Sequence, residues 1–361
     1  MTAEPKPPAI LVTTYAGDPG VEQIARDAAA GLRPRKDYVE LARRTAGIVV
    51  DAEHMAARAR PAARRVAQRA GLPAGQVAEA FLRRGEYGGV LAWADRLGLP
   101  FALLCKLARS RRDTVLVSVA LSNPKKALPM KALRLHTHLG AIVAKGTAQV
   151  EIAAERLGVP REKLHVGVHA VDERFWAPRD ARPPAGGPVV AVGWEERDYP
   201  TLLRAAGTDV PVELAIGSIA SSHADGIAVS PLGELPANVR LHANLKPREL
   251  RDLYARASLV VVPLRDVEFD AGVTAIAEAM AMGRPVVVTR TRGQRDLLVD
   301  GEQGVYVPPG DARAMREAID RLSADPARAA AMGADGRALI ERAHTLDRYV
   351  GELAALLTAG R

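Results

Sequence analysis

Short apolar runs alternate with longer amphipathic stretches in the first half of the chain. The stretches carry apolar residues at helical spacing, whereas the runs are nearly continuous in Val, Ile, Leu and Ala. The runs lie at residues 9–14, 47–51, 88–93, 114–120 and 140–145. Continuous apolar strands between helices are typical of a parallel sheet that is covered on both faces. This half is therefore predicted to be a doubly wound α/β domain.

The alternation stops at residues 164–188, which are rich in Pro and Gly and have no helical spacing. A second set of apolar runs and helical stretches follows, and three helical patterns close the chain. We predict an α/β protein with two Rossmann-like, doubly wound parallel-sheet domains facing a cleft, because open α/β sheets bind ligands at the carboxyl ends of their strands. The predicted boundaries are 1–165 for the first domain, 166–187 for the linker, 188–345 for the second domain, and 346–361 for a C-terminal helix that packs back towards the first domain.

Composition supports a folded protein of two domains and excludes several classes. The 361 residues are 48% hydrophobic and 25% charged, unlike a disordered chain. The single cysteine, Cys105, lies in an apolar run and is interpreted as a buried small hydrophobe. No spacing of Cys or His resembles a metal site, so we expect no metal and no cofactor.

Positive charge is concentrated in the first half of the chain. Residues 1–176 carry 28 Lys and Arg against 17 Asp and Glu, whereas the remainder carries 22 against 25. Arginines on solvated helix faces are one explanation, and an anionic acceptor or a weak peripheral contact with an anionic membrane surface, through the arginine-rich segment 54–70, is another. No nucleic-acid recognition motif accompanies the charge, so no nucleic-acid partner is expected.

The sequence also predicts a location. The N-terminus shows no signal-peptide pattern, and no apolar run approaches the length of a membrane span. We therefore expect a cytoplasmic protein, with a peripheral position at the inner membrane face as the alternative.

The segment 259–311 carries the most informative chemistry. A strand-like run ends in a polar loop, and a helical pattern then begins near Gly272. Small residues there let a ligand approach the backbone, and the first N–H groups of a helix, here those of Val273 and Thr274, bind anions such as a diphosphate. Asp270 and Glu278 flank this helix start, and carboxylates can hold sugar hydroxyls through charge-assisted hydrogen bonds. An ordinary βα loop with an exposed helical Glu278 is the alternative.

In the first domain, Asp95 is a candidate functional residue on the basis of its position alone. It follows the strand-like run 88–93, so its carboxylate would lie at the carboxyl end of a strand. It could contact an acceptor or act as a base, and helix capping is the alternative.

Five segments together resemble the retaining glycosyltransferases of family 4, also called group 1, which have the GT-B fold. They occur in the family's order: GVHAVDERFWAP, LKPRELRDLYARASLVVVPL, DAGVTAIAE, AMAMGRPVV and DGEQGVYVPPGD. The first is similar to the family's Asn-Gly-Val-Asp followed by Phe-x-Pro, and the third to its acidic pair E-x7-E. The resemblance covers residues 164–350, whereas the first half matches mainly in its order of elements.

The resemblance implies a role for each residue of the pair and of the helix start. Glu278 would hold the ribose of a nucleotide, Asp270 the hydroxyls of the donor sugar, and the backbone of Gly272, Val273 and Thr274 the distal phosphate. The implied reaction is metal-independent. It transfers a hexose-type sugar, with retention, from a nucleoside diphosphate sugar (UDP foremost) to a hydroxyl acceptor of glycan, lipid-linked or natural-product type.

The sequence departs from the family in the second domain. The first acid is Asp270 where the family has Glu. Trp194 and Tyr199 stand where the family has an Arg and a Lys that bind phosphate. Arg197 is close by in sequence and is predicted to replace them, so that Asp270 and Arg197 are the predicted catalytic pair. These departures keep two alternatives open: a nucleotide-sugar-binding protein without transferase activity, or another GT-B enzyme such as an epimerase or phosphorylase.

In the first domain the family's histidine is absent. The corresponding loop offers Ser122 and Asn123, which with Asp95 are the predicted acceptor-side residues. The loop after the first strand, with Gly17 and Gly20, would face the donor phosphates by the same resemblance, although turn formation is the commoner explanation of two glycines in such a loop.

Overall fold

The structure is a computed structural model that describes residues 6–12, 19–110, 113–167, 169–178, 184–217 and 234–358. The chain forms two compact units. The first comprises residues 1–29, 35–168 and 347–361, and the second comprises residues 30–34 and 169–346. Among the described residues, no helix is both long and apolar enough to cross a bilayer.

The first unit is built around a six-stranded parallel sheet with the order β2-β1-β3-β4-β5-β6. Its elements are β1 Ala9–Leu11, α1 Val21–Ala29, α2 Asp37–Thr45, β2 Ile48–Val50, α3 Ala52–Ala57, α4 Pro61–Ala70, α5 Leu72–Leu82, β3 Val90–Ala92, α6 Asp95–Leu107, β4 Thr114–Ser118, α7 Pro124–Ala132, β5 Ala141–Lys145, α8 Thr147–Glu155 and β6 Leu164–Gly167. The strand order reverses between β1 and β3, and ligands bind at such a reversal in open α/β sheets.

The second unit contains another six-stranded parallel sheet, with the order β12-β11-β10-β7-β8-β9. Its elements are β7 Val189–Val192, α9 Tyr199–Ala206, β8 Val212–Ile216, β9 Val239–Ala243, α10 Pro247–Arg256, β10 Leu259–Val262, α11 Val273–Ala281, β11 Val286–Thr289, β12 Gly304–Val307, α12 Ala312–Ala324 and α13 Pro326–Ala343. Strands β7, β10 and β11 are fully buried, as expected for apolar strands with helices on both faces. The order reverses between β7 and β10, which makes their carboxyl ends the expected ligand position.

The two parallel sheets confirm the predicted α/β class, and the predicted burial of Cys105 also holds. Cys105 is buried at 1% exposure. Asp311 and Asp325 accept hydrogen bonds from backbone N–H groups at the starts of α12 and α13. The arginine-rich segment 54–70 lies in two helices, α3 and α4. Pro61 is the first residue of α4, because proline is tolerated at a helix start and not in its interior.

Part of the predicted linker packs into the second unit. The rings of Phe175 and Trp176 meet edge to face at 4.9 Å, and Trp176 meets Tyr254 of α10 at 5.7 Å. Phe175 and Trp176 are both buried. Residues 169–178 therefore belong to the second core rather than to an extended connection.

The last helix, α14 (Leu346–Thr358), lies in the first unit from Asp347 onwards. Tyr349 is buried there and contacts the Trp93 ring edge to face at 6.3 Å. Its hydroxyl accepts a hydrogen bond of 3.0 Å from Lys145 Nζ. The C-terminal helix α14 therefore packs against residues at the ends of β3 and β5.

Candidate active site

The loop after β10 leads into α11 through a glycine that no other residue would replace easily. Gly272 is the N-cap of α11 with φ of 80°, in the left-handed region. A Cβ at this position would lie 2.8 Å from Val262 Cγ1 and 3.1 Å from Leu264 Cδ2. The Val273 N–H donates locally to the Asp270 carbonyl at 3.2 Å. The remaining first-turn N–H groups, including that of Thr274, form the positive end of the helix.

Asp270 lies directly before this helix start and is buried, at 5% exposure. Its Oδ2 atom is 3.4 Å from Nδ1 of His169, which is equally buried. A buried carboxylate is costly unless it is paired. The imidazole is within ion-pair distance of this carboxylate, and it carries a charge only when protonated.

Glu278 is half-buried and lies more than one turn into α11, the helix whose N-cap is Gly272. Its Oε2 atom accepts a hydrogen bond of 3.1 Å from the hydroxyl of Tyr254. Tyr254 is fully buried, and burial raises its pKa well above the usual value, with the Glu278 charge adding to the shift. The phenol therefore stays a hydrogen-bond donor and holds the carboxylate in one orientation.

Arg197 reaches the same place from the loop after β7. Its Nε and Nη1 donate to the carbonyls of Val192 and Glu195, at 2.9 and 2.8 Å. Its Nη1 atom would be 3.5 Å from a Cβ at Gly272, so the guanidinium lies beside the start of α11. Burial lowers the pKa of Arg197 from its usual value, because desolvation disfavours the charged form. The cation is thus held at the reversal of strand order, beside the helix terminus.

Gly193 makes room for this arginine. It has φ of 103°, and a Cβ there would overlap the Arg197 guanidinium. The loop is tied to the neighbouring one through the Asp198 N–H, which donates to the Pro263 carbonyl at 3.0 Å. The loops after β7 and β10 therefore form one surface.

Tyr199 and Trp194 do not supply the positive charge of the Arg and Lys that stand at these positions in the resembled family. Tyr199 is buried under the sheet, and its hydroxyl donates to the Gly193 carbonyl. Burial raises the pKa of Tyr199 to about 12, so this donor stays protonated. Trp194 is half-buried and packs against the hydrophobic cluster that contains Tyr199. The Tyr199 hydroxyl is thus bonded to the loop after β7, whereas a lysine at this position would supply a positive charge.

A second loop fixes the segment before α11. The fully buried Gln294 donates through Nε2 to the Ala271 carbonyl at 3.1 Å. The N–H of Gly293 donates to the Val267 carbonyl at 2.9 Å, and Arg292 pairs with Asp266 at 3.2 Å. A Cβ on Gly293 would overlap the backbone of Phe269. Residues 266–271 are thereby held against residues 292–294.

Substituting Gly293 by Ala should separate these two loops. Overpacking of this kind typically costs about 1–3 kcal/mol. In a domain of this size we expect the melting temperature to fall by roughly 2–10 °C. The measurement is thermal unfolding. Gly85→Ala is the control, because a Cβ there has no neighbour within 4 Å; equal melting temperatures for the two variants would contradict the close contact.

In the first unit, Asp95 is buried where strand order reverses, after β3. One carboxylate oxygen accepts a hydrogen bond from Ser118 Oγ, and the other lies 2.8 Å from Lys126 Nζ. Asp95 is the first residue of α6 and makes no capping bond. Its carboxylate therefore orients a lysine at this edge of the sheet.

Ser122 and Asn123 lie on the loop after β4, beside this pair. The Ser122 N–H donates to Gln149 Oε1 at 3.1 Å, and Asn123 Oδ1 accepts from the Lys125 N–H at 3.0 Å, which caps α7. The structure brings both to the edge where Asp95 lies, with their polar atoms engaged locally. Gly17 lies outside the described residues.

Sequence reasoning missed His169 and Gln294. His169 lies in the Pro- and Gly-rich segment, 101 positions before its partner Asp270, and no local pattern connects them. Gln294 had no recognisable signal either. Within the described ranges, no group of three side chains is arranged to hold a metal ion.

The comparisons with known proteins point to one family. The family model described as Glycosyl transferases group 1 matches residues 201–325, which include α10, the loop after β10 and α11. This part of the chain is therefore similar to the glycosyltransferase group 1 family. Its assignment to the retaining family 4 stays a prediction.

Two curated relatives are similar over different lengths. D-inositol 3-phosphate glycosyltransferase of Xylanimonas cellulosilytica is 28% identical over 227 residues, 56% of this chain and 53% of that protein. Lipopolysaccharide core biosynthesis mannosyltransferase LpcC of Rhizobium leguminosarum is 27% identical over 297 residues, 74% of this chain and 82% of that protein. The chain spans about half the length, or less, of the first curated relatives it matches.

A solved structure gives the same fold. HepE of Anabaena, in complex with UDP and glucose, superposes with a TM-score of 0.69 at 18% identity, over 98% of this chain and 100% of that one. This protein thus has the GT-B fold, with two Rossmann-like parallel sheets.

Proposed function

We propose that this protein is a glycosyltransferase that moves a sugar from a nucleoside diphosphate sugar to a hydroxyl acceptor. The observation that carries the proposal is the position of Arg197 beside the start of α11, with Asp270 just before Gly272 and Glu278 on the same helix. A cation and a helix N-terminus suit a diphosphate, and the carboxylates suit hydroxyl groups.

The reaction depends on stabilising the departing diphosphate. Negative charge develops on its oxygens as the glycosidic bond breaks, and Arg197 with the α11 N–H groups, including that of Thr274, would stabilise that charge. Asp270 would hold the donor sugar and Glu278 the nucleotide ribose, so both partners are fixed in position for reaction. We further propose retention of configuration, which rests on the resemblance to family 4.

A hexose on UDP is the proposed donor. Support comes from the UDP and glucose in the HepE structure, while the names of two relatives specify mannosyl transfer, in one of them dependent on GDP-mannose. GDP-mannose is therefore the first competitor to test.

The acceptor is proposed to bind the first unit. Asp95 and Lys126 lie with Ser122 at the carboxyl edge of its sheet, where hydroxyl or anionic groups of a glycan, lipid-linked or natural-product acceptor would find partners. A weak peripheral contact with anionic lipid, at the inner membrane face of a cytoplasmic protein, belongs to the same proposal. It would depend on charge alone, because Ala63 on the apolar side of α4 is buried and the arginines of that helix are exposed.

One alternative has a specific observation in its favour. The buried Tyr199 occupies the position of the family's lysine, which leaves Arg197 as the cation beside the helix start. A protein that binds a nucleotide sugar without transferring it would tolerate that loss. An epimerase or phosphorylase would instead act on the donor without a hydroxyl acceptor.

Thermal shift with UDP, GDP, dTDP, ADP and their common sugars tests the proposal. A ligand at a hundred times its dissociation constant stabilises the folded state by about 2.7 kcal/mol. We expect the largest shift with UDP and UDP-hexose, and acceptor-dependent release of UDP. Shifts without such release would favour the binding protein, consumption of the donor alone would favour the other enzymes, and no shift with any nucleotide would contradict the donor site.

A further inference from the structure

His169 is placed against Asp270 by a segment that is fixed to the second unit. The Val171 N–H donates to the His344 carbonyl at 3.0 Å, and the Leu346 N–H donates back to the Val171 carbonyl at the same distance. Arg337 Nη1 donates to the Trp176 carbonyl at 2.8 Å, a few residues further on. The segment that carries the imidazole is therefore hydrogen-bonded to the same unit that contains Asp270.

Burial of the His169–Asp270 pair removes two polar side chains from water, which costs free energy that an apolar pair would not cost. Both side chains are almost completely buried and face each other at 3.4 Å. Replacing buried polar pairs with apolar residues is often neutral or stabilising, so such pairs are weak evidence of a stabilising role. The position of this pair, directly before the start of α11 at Gly272, is where a donor sugar would meet the diphosphate site.

We propose that His169 is a positioning residue for the donor sugar, acting through Asp270; this inference rests on the proposed function. The imidazole lies against Oδ2 of the carboxylate and restricts how the carboxylate can turn towards a sugar hydroxyl. Asp270 is one methylene shorter than the glutamate of the resembled family, so it reaches less far and gains more from being held. His169 then affects recognition of the sugar and leaves recognition of the nucleotide unchanged.

The test compares the dissociation constants of UDP and UDP-glucose, with GDP and GDP-mannose in parallel, by titration calorimetry. For His169→Ala we expect about tenfold weaker binding of the sugar nucleotide, because the carboxylate that contacts the sugar is no longer restricted in orientation. The nucleoside diphosphate should bind within about twofold of wild type. His169→Asn, which keeps a short N–H donor, should restore most of the sugar affinity. His136→Ala is the matched control, because that histidine is buried in the first unit.

Three results would overturn the inference. Unchanged sugar-nucleotide affinity in His169→Ala would remove the role. Equal weakening of nucleotide and sugar nucleotide would indicate a merely structural one, as would a failure of His169→Asn to recover. Absence of nucleotide-sugar binding by the wild type would instead refute the proposed function itself, before any variant is made.

A second measurement applies where a variant is unstable. The melting temperatures of His169→Asn, Asp270→Asn and the double variant form a cycle. Non-additive shifts support direct contact between the two side chains. Additive shifts would overturn the inference.

Discussion

Replacing Arg197 by Ala should lower kcat about 10²- to 10³-fold, the loss typical of removing one preorganised group from a developing negative charge. The effect should appear at saturating donor, because the charge on the diphosphate grows as the bond breaks. Arg197→Lys should recover part of the rate, since an ammonium keeps the charge but cannot reproduce the bonds to Val192 and Glu195. Steady-state kinetics with a donor identified by thermal shift would measure both.

The guanidinium also holds its own loop, so stability must be measured beside the rate. Loss of its backbone hydrogen bonds, which a charged group donates, is expected to cost about 1.5–3 kcal/mol each. Arg313→Ala is a suitable control, because Arg313 lies exposed on α12 and pairs with Glu317 of the same helix. A full rate in a folded Arg197→Ala variant would exclude this residue from the reaction.

Replacing Glu278 by Ala should weaken binding of both the nucleoside diphosphate and the sugar nucleotide. A hydrogen bond to a charged group contributes about 1.5–3 kcal/mol, so the loss should be roughly 10- to 150-fold. Asp270→Asn should weaken only the sugar nucleotide, because its proposed contact is with the sugar. Titration of UDP and UDP-glucose into both variants separates the two roles.

Glu278 also accepts the Tyr254 hydroxyl, and this contact requires its own control. Removing the carboxylate leaves a buried phenol without its acceptor, at a cost of about 1–3 kcal/mol. Glu278→Gln keeps an acceptor oxygen and removes the charge, whereas Tyr254→Phe removes the hydrogen bond and keeps the carboxylate. Suppose that Tyr254→Phe weakened nucleotide binding as much as Glu278→Ala did. Binding would then depend on how well the loop is ordered rather than on the carboxylate.

The sequence was sufficient for the sheets and for the start of α11. Buried parallel strands must be apolar on both faces, so Leu259–Val262 could be recognised from composition alone. Gly272 followed by a helical pattern predicted a helix start that the structure places at Val273. These features depend on residues close together in sequence.

Features that depend on distant residues were not predictable. Nothing near His169 signals that it faces Asp270, and the Pro- and Gly-rich pattern around Phe175 and Trp176 concealed that both rings enter the second core. Tyr199 was recognised as a departure from the family. That its hydroxyl would support the Gly193 carbonyl follows only from the packing of α9 under the sheet.

The buried phenol of Tyr199 has a consequence for ionic strength. A diphosphate bound by one arginine and a helix terminus forms fewer ion pairs than one bound by an arginine and a lysine. Dissolved ions screen each such pair, and at 0.15 M the screening length is about 8 Å. Donor affinity in this protein should therefore decline more gently with added sodium chloride than in relatives with both cations. With Tyr199 in this position, we expect binding of the proposed donor to rely on directed hydrogen bonds more than on net charge.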